Sequence, residues 1–451
     1  LKLFRTCGIL GDSLAMADSF GSSSSENEGT KFVKDGFEQA SKWNATSVEV
    51  DNNMLKGRRT QRGFTINMGK PEAVQRREKR AQTLPSSSGR RADIVISEEG
   101  EKILQAQTAT LGARLRHGSV SICCFVLTEE ILRQAWDEKA KIFACGRMTD
   151  SQNPGDEREI VMIGGDRFPV NSPPAITCIK GCKGRTDKTP NQDNFSLLYL
   201  KDGHAVACCM DGHGPFGHLV ATQTVQTVPY YLVCSEHYPK DIPAALTEAF
   251  ILSQKDVVAK ALQEGWDVQA SGSTAVCAVW KGNHIWTAHA GDSRIVVGTE
   301  LKRQVVFETA DHKPDTPAEK RRVEQMGGEV RSQTYSDGWT SHRIFVKGQD
   351  YPGLCMARTL GDASVKDHGV IAEPEIGELT VDLSESPFLV LASDGVWEFL
   401  DSEFVTKGVA KKIGAEPKKT VIRLQRESKK RWKQEEDDYC DDITAVLIKL
   451  A

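Results

Sequence analysis

The chain has 451 residues, 39% hydrophobic and 27% charged, with a formal net charge of −4. That length leaves room for roughly two or three domains, and that composition for a sizeable core. The near balance of charge excludes a dedicated nucleic-acid binder, which would carry a strongly basic domain, and no run approaches the 18 or more apolar residues of a membrane span.

Residues 1 to about 115 read as a disordered or low-complexity extension. The start is mildly apolar, but Lys2, Arg5 and Asp12 break a signal-peptide core. Residues 19–25 are Ser/Gly-rich, and 56–62 and 75–91 are basic and polar. Such segments bury too little apolar surface to offset the entropy of ordering. Arg76-Arg77-Glu78-Lys79-Arg80 has the form of a nuclear address, but reads more simply as a solvated basic linker.

Residues 116–160 read as a linker with one helix. Ile131, Leu132, Trp136 and Ile142 fall at helical spacing over 127–143, and Thr128 followed by Glu129 and Glu130 suits a helix start. The folded domain is expected over 161–451. There, short apolar runs rich in β-branched residues recur at 205–210, 274–280, 284–290, 294–298, 388–392 and 443–450, as buried strands do. Helical stretches lie at 219–233, 242–263 and 418–436. The pattern predicts an α+β fold, a β-sandwich of two antiparallel sheets flanked by helices. Thr316-Pro317-Ala318-Glu319 supplies an N-cap, a first-turn proline and a capping-box glutamate, and Gly327-Gly328 stops that helix. The polar, glycine-rich stretch at about 311–355 reads as an excursion from the sandwich.

Acidic residues bound these runs: Asp211, Asp292 and Asp394 follow one, Asp441 and Asp442 precede 443–450, and Asp193 precedes a further short run at 195–200. A lone Asp-Gly is an ordinary turn. Repetition changes the reading, because unpaired charge at the end of a buried strand is costly and bound cations would neutralise it. The donors are oxygens with no matching Cys/His set, which fits Mg²⁺ or Mn²⁺ better than Zn²⁺. Two such ions about 3.5–4 Å apart can activate a water and clamp a phosphoryl group.

The twelve cysteines include no Cys-x-x-Cys pair, and several lie in apolar runs, which reads as buried free thiols in a reducing compartment. None has Arg six residues on, as a cysteine-based phosphatase requires. No Gly-x-Ser-x-Gly elbow and no phosphate loop appear.

Asp211-Gly212-His213-Gly214, Ser271-Gly272-Ser273-Thr274-Ala275, Gly291-Asp292-Ser293-Arg294, Asp311-His312-Lys313-Pro314, Arg358-Thr359-Leu360-Gly361-Asp362, Ser393-Asp394-Gly395-Val396-Trp397 and Asp441-Asp442-Ile443-Thr444 follow one another in order. Over roughly 165–451 this resembles the type 2C (PPM) metal-dependent protein serine/threonine phosphatases. The resemblance implies that Asp211 and the carbonyl of Gly212 bind two Mg²⁺ or Mn²⁺ ions, with Asp193, Asp394 and Asp441 completing the set. It implies that Asp292 and Glu398 hold a third, weaker ion, Glu398 standing where the family usually has Asp. His213 would be the general acid, and Lys188, where the family often has Arg, would grip substrate phosphate as a point charge. Gln192 replaces a Glu of some members. His289, His312, Ser273 and Thr274 read as structural, and Arg358 as internally paired. The implied partners are phosphorylated proteins, met by an intracellular, cytoplasmic or nuclear, monomer. The rival is a pseudophosphatase, a phosphoprotein-binding module on the same fold, which would be expected to have lost metal ligands.

Overall fold

A computed structural model describes residues 126–450 apart from 165–172, 185–186, 336–337 and 339. The expectations for residues 1 to about 115 lie outside the described residues.

In chain order the elements are α1 (Glu129–Lys139), β1 (Ala140–Gly146), β2 (Ile160–Gly164), β3 (Ala175–Ile179), β4 (Asp193–Leu200), β5 (Ala205–His213), α2 (Gly217–Cys234), α3 (Ile242–Glu264), β6 (Gly272–Ser273), β7 (Ala275–Lys281), β8 (His284–Ala290), β9 (Arg294–Thr299) and β10 (Val305–Glu308). There follow α4 (Pro317–Gln325), β11 (Gly328–Thr334), β12 (Thr340–Val346), β13 (Pro352–Leu354), β14 (Leu360–Gly361), β15 (Glu375–Thr380), β16 (Pro387–Ala392), α5 (Asp394–Trp397), α6 (Ser402–Ala410), α7 (Pro417–Glu436) and β17 (Ile443–Lys449).

Two antiparallel sheets form the expected sandwich. One runs β15-β8-β7-β5-β4-β1-β2, with the two-residue strands β6 and β14 attached beyond the end of β5; the other runs β10-β9-β16-β17-β3. Their facing sides bury Phe195, Leu197, Ala207, Val276, Ile295, Leu389, Leu391 and Val446. The alternate residues point outward, as the two-residue period of a strand requires. Leu198, Val206, Cys208 and Met210 meet Val225, Val228, Leu246 and Phe250 of α2 and α3. Phe388, Val390 and Ala392 meet Val405, Val409, Val421 and Leu424 of α6 and α7. Both faces of each central strand are therefore covered, which is why those runs carry no polar alternation.

The helices begin and end where the chain permits. Thr128 caps α1, its Oγ1 accepting the Ile131 amide at 3.4 Å, and Asp241 caps α3, accepting the Ala244 amide at 3.0 Å. Gly265 closes α3 in the left-handed region at φ 76. At α4 the expected capping box does not form. Thr316 makes no side-chain cap bond, and Glu319 is committed to Arg358 at 2.8 Å and Arg322 at 2.5 Å.

Two expectations near the start of the fold are corrected. The helix predicted over 127–143 ends at Lys139, and Ile142 and Phe143 belong to β1, which pairs with β4 and β2. The stretch expected to be linker up to residue 160 thus supplies a strand inside the sheet. Trp136 stacks on Phe143 with ring centroids 4.8 Å apart, and both are buried in the same core as α2 and α3. The polar stretch at 311–355 holds α4 and a separate three-stranded sheet, β11-β12-β13, closed by Val323, Ile344, Leu354, Met356, Val365 and Val370.

Candidate metal centre

The aspartates named from the sequence lie at or beside the ends of buried strands. Asp193 opens β4 and stands directly opposite Asp211 of β5. Asp394 starts α5 immediately after β16, Asp441 and Asp442 precede β17, and Asp292 follows β8. The acids therefore come from both sheets, and hydrogen bonds fasten them across the gap. Ser393 donates its hydroxyl to Asp193 Oδ2 at 2.6 Å and accepts the Thr444 amide at 3.1 Å. The Asp211 amide donates to Thr274 Oγ1 at 3.1 Å, and that oxygen is 2.6 Å from Ser293 Oγ, which ties β5 to the turn carrying Asp292.

Crowding shows in the acidities. Burial first, then the Asp442 and Asp441 carboxylates, pushes Asp193 up to about 7. Burial and then Asp193, Asp394 and Asp441 raise Asp211 well above the carboxylate range. Burial and then Asp441, Asp292 and Glu398 do the same to Asp394. Glu398 sits one turn on, its amide bonded to the Asp394 carbonyl at 2.8 Å.

Asp442 is different. Despite burial it is held below the usual range by Lys183 and Lys180 and by the amides of Gln192 and Gly181. Those amides donate to its two oxygens at 2.9 and 2.7 Å, so Asp442 is a tether and Asp441 is the acid left to the cluster. Gly212 allows the close approach beside it. A Cβ there would come within 2.3 Å of the Gly217 carbonyl oxygen.

Two cations enter the cluster that the sequence reading missed. Lys183 Nζ lies 2.7 Å from Asp441 Oδ1 and 3.5 Å from Asp442 Oδ2, and Lys313 Nζ pairs with Asp292 Oδ2. Lys188 is exposed and forms no ion pair or hydrogen bond with a described residue. No spacing rule singles out Lys183; Lys313 was visible inside Asp311-His312-Lys313-Pro314.

His213 ends β5. Its Nε2 is 2.8 Å from Oδ2 of Asp362, which is fully buried, and its Nδ1 is buried with no hydrogen-bond partner. A Cβ on Gly272 would come within 2.0 Å of that Asp362 oxygen, so glycine is what lets the two meet. Asp362 was quoted within a motif but given no part, and its seat at φ 43 is not legible from composition. Gln192 turns away, donating to the Gly214 carbonyl at 2.7 Å.

His289, His312 and Glu375 place ligand-type atoms within 4.8 Å of one another. Hydrogen bonds already occupy most of them. His289 Nε2 is 2.8 Å from the Ala310 carbonyl. His312 Nδ1 accepts the Gly291 amide at 3.2 Å, which leaves its Nε2 proton for Glu375 at 3.4 Å. The group reads as structural.

The cluster suits hard divalent cations. Its donors are all oxygens, Asp292 Oδ1 is buried without a partner, and no described residue donates to the Asp211 carboxylate. Six carboxylates (Asp193, Asp211, Asp292, Asp394, Asp441 and Glu398) face two ammonium groups, an excess that two divalent ions would neutralise.

Known proteins give the same direction. The family model described as protein phosphatase 2C matches residues 184–434. The chain is 33% identical over 291 residues to "Probable protein phosphatase 2C 72" of Arabidopsis thaliana, covering 60% of this chain and 84% of that one. It is 30% identical over 265 residues to "Probable protein phosphatase 2C 73" of the same plant, covering 53% and 69%. Among solved structures, serine-threonine phosphatase 2C from Toxoplasma gondii superposes with a TM-score of 0.50 at 21% identity, over 62% of this chain and 96% of that one. That likeness is one of fold.

Proposed function

The chain belongs to the protein phosphatase 2C family, and on that premise we propose that it hydrolyses phosphoserine and phosphothreonine in proteins by direct attack of water on phosphorus, with no covalent intermediate. The observation that carries this is the convergence of Asp193, Asp211, Asp394 and Asp441 from four separated strand ends. Asp211, the Gly212 carbonyl, Asp193, Asp394 and Asp441 are the residues to hold two Mg²⁺ or Mn²⁺ ions, with Asp292 and Glu398 as donors for a third. When bound, such ions supply an activated water and neutralise the phosphoryl oxygens.

The rest of the chemistry falls to side chains. Asp362 holds the His213 ring at Nε2, and that ring, 22% exposed, is the group to deliver a proton to the departing serine or threonine oxygen. Despite burial, the His213 ring and then Lys366 hold the Asp362 carboxyl below its usual range. Lys188, exposed just before β4, is free to reach toward a phosphate as a point charge.

The test is turnover of p-nitrophenyl phosphate and a phosphothreonine peptide by the full chain, with Mn²⁺, with Mg²⁺ and with chelator. Turnover of both substrates that needs the metal supports the reading. A well-folded chain that binds the peptide with metal present and releases no phosphate would make it a binding module.

A further inference from the structure

Cys182 and Cys440 face each other across an antiparallel bridge that joins the loop after β3 to the residue before Asp441. Each amide donates to the other residue's carbonyl, at 2.7 and 2.9 Å. Opposed residues in such a pair have Cα atoms about 5.5 Å apart and side chains on one face. That Cα spacing lies within the range of a disulfide. Both residues are free thiols of intermediate exposure. Cys208 and Cys277 also oppose each other, across β5 and β7, but both are fully buried, which denies an oxidant access.

We propose that Cys182 and Cys440 form an oxidation site, at which a peroxide converts the two thiols to a disulfide and thereby disables the neighbouring carboxylate cluster. The sulfur of Cys182 attacks one peroxide oxygen. The O–O bond breaks, the departing hydroxide leaves as water with the thiol proton, and a sulfenic acid remains. The sulfur of Cys440 then attacks the sulfenic sulfur, the S–O bond breaks, and a second water leaves with the Cys440 proton. Two thiols lose two electrons in all, and one peroxide is reduced to two waters.

The disabling is geometric. A disulfide draws Cβ atoms to about 3.8 Å, against roughly 5.5 Å across a hydrogen-bonded pair. The bridge must therefore tighten by more than 1 Å at the residue next to Asp441. Displacements of that order at a catalytic group cost as much as about 10²-fold in rate. The same closure pins Lys183, one residue after Cys182, against Asp441.

The experiment treats the full chain with hydrogen peroxide, then maps disulfides by non-reducing peptide mass spectrometry and measures Mn²⁺ binding by calorimetry and phosphatase activity. The expected result is a Cys182–Cys440 linked peptide, lighter by two hydrogens than the separate pair. Mn²⁺ binding weakens, and activity falls at least about tenfold and returns with dithiothreitol. Cys182→Ser and Cys440→Ser should each keep their binding and activity under the same peroxide. Absence of the linked peptide overturns the site. A linked peptide with unchanged Mn²⁺ binding, or serine variants as sensitive as the parent, overturns the disabling. The activity arm rests on the phosphatase reading, whereas the linked peptide and the calorimetry stand without it.

Discussion

Asp362 and His213 are 149 positions apart in the chain, yet a carboxylate oxygen of one lies 2.8 Å from Nε2 of the other. The pairing fixes the orientation of an imidazole two residues from Asp211. His213→Ala is expected to lower kcat/KM on a phosphoserine peptide by roughly 10²-fold or more, and to lower p-nitrophenyl phosphate turnover far less, because that leaving group departs without a proton. Asp362→Asn should give a smaller loss of the same selectivity and a shifted pH profile. Steady-state kinetics on the two substrates settle this; equal losses on both would remove the acid role.

Asp193 binds its proton more tightly folded than unfolded, at about 7 against 3.8. Where the native state holds the extra proton, stability falls as pH rises. In chelator, the thermal midpoint should therefore decline from about pH 4 to pH 7, and Mn²⁺ should reverse the decline. Asp211→Asn removes one repelling carboxylate; it should abolish turnover while leaving the metal-free midpoint unchanged or higher. Differential scanning calorimetry with and without chelator reads both, and a flat profile would count against the crowded cluster.

Glu319 has the opposite sign. Burial would raise it, but the guanidiniums of Arg322 and Arg358 overcome burial and hold it at about 2, below its ordinary 4.5. Its contribution is present above 4.5 and lost as pH falls toward 2. Glu319→Gln leaves two cations short of a partner on α4 and β14's approach, and should cost on the order of 2–3 kcal/mol at neutral pH, less than a wholly buried pair since both arginines keep some solvent. Urea unfolding at pH 7 and pH 3 should show the gap between variant and parent narrowing in acid.

Arg158 carries the early strands to the site. Nearly buried, it donates to the Asn191 carbonyl at 2.6 Å and the Arg147 carbonyl at 2.8 Å, and Asn191 Oδ1 accepts the Asp193 amide. Arg158→Met should weaken Mn²⁺ binding by calorimetry with little change in the far-UV spectrum. A chain begun at residue 161 loses Trp136 and Phe143 from the core and should be poorly soluble where one begun at 126 is not. Equal behaviour of the two truncations would deny β1 its place in the sheet.

Much of this architecture was legible because buried strands advertise themselves: 284–290 was delimited to the residue, and 205–210, 294–298 and 388–392 nearly so. β1 was hidden by arithmetic. Ile142 continues the helical spacing of Ile131, Leu132 and Trp136, and only pairing with β4 decides between helix and strand. β6 and β14 are two residues each, too short for any periodicity. The aspartates could be named because each borders an apolar run. Lys183, Ser393 and Asp362 could not be given roles, since what assigns them is a partner remote in sequence.

The carboxylates that gather here belong to two layers, Asp193 and Asp211 to one sheet, Asp394 and Asp441 to the other. An ion seated among them would act as a rivet through the sandwich, so its loss should loosen the seam between the layers before it loosens either layer. Amide exchange along the site-proximal ends of β4 and β17 would then quicken on demetallation while the far ends, at Leu200 and Lys449, keep their pace.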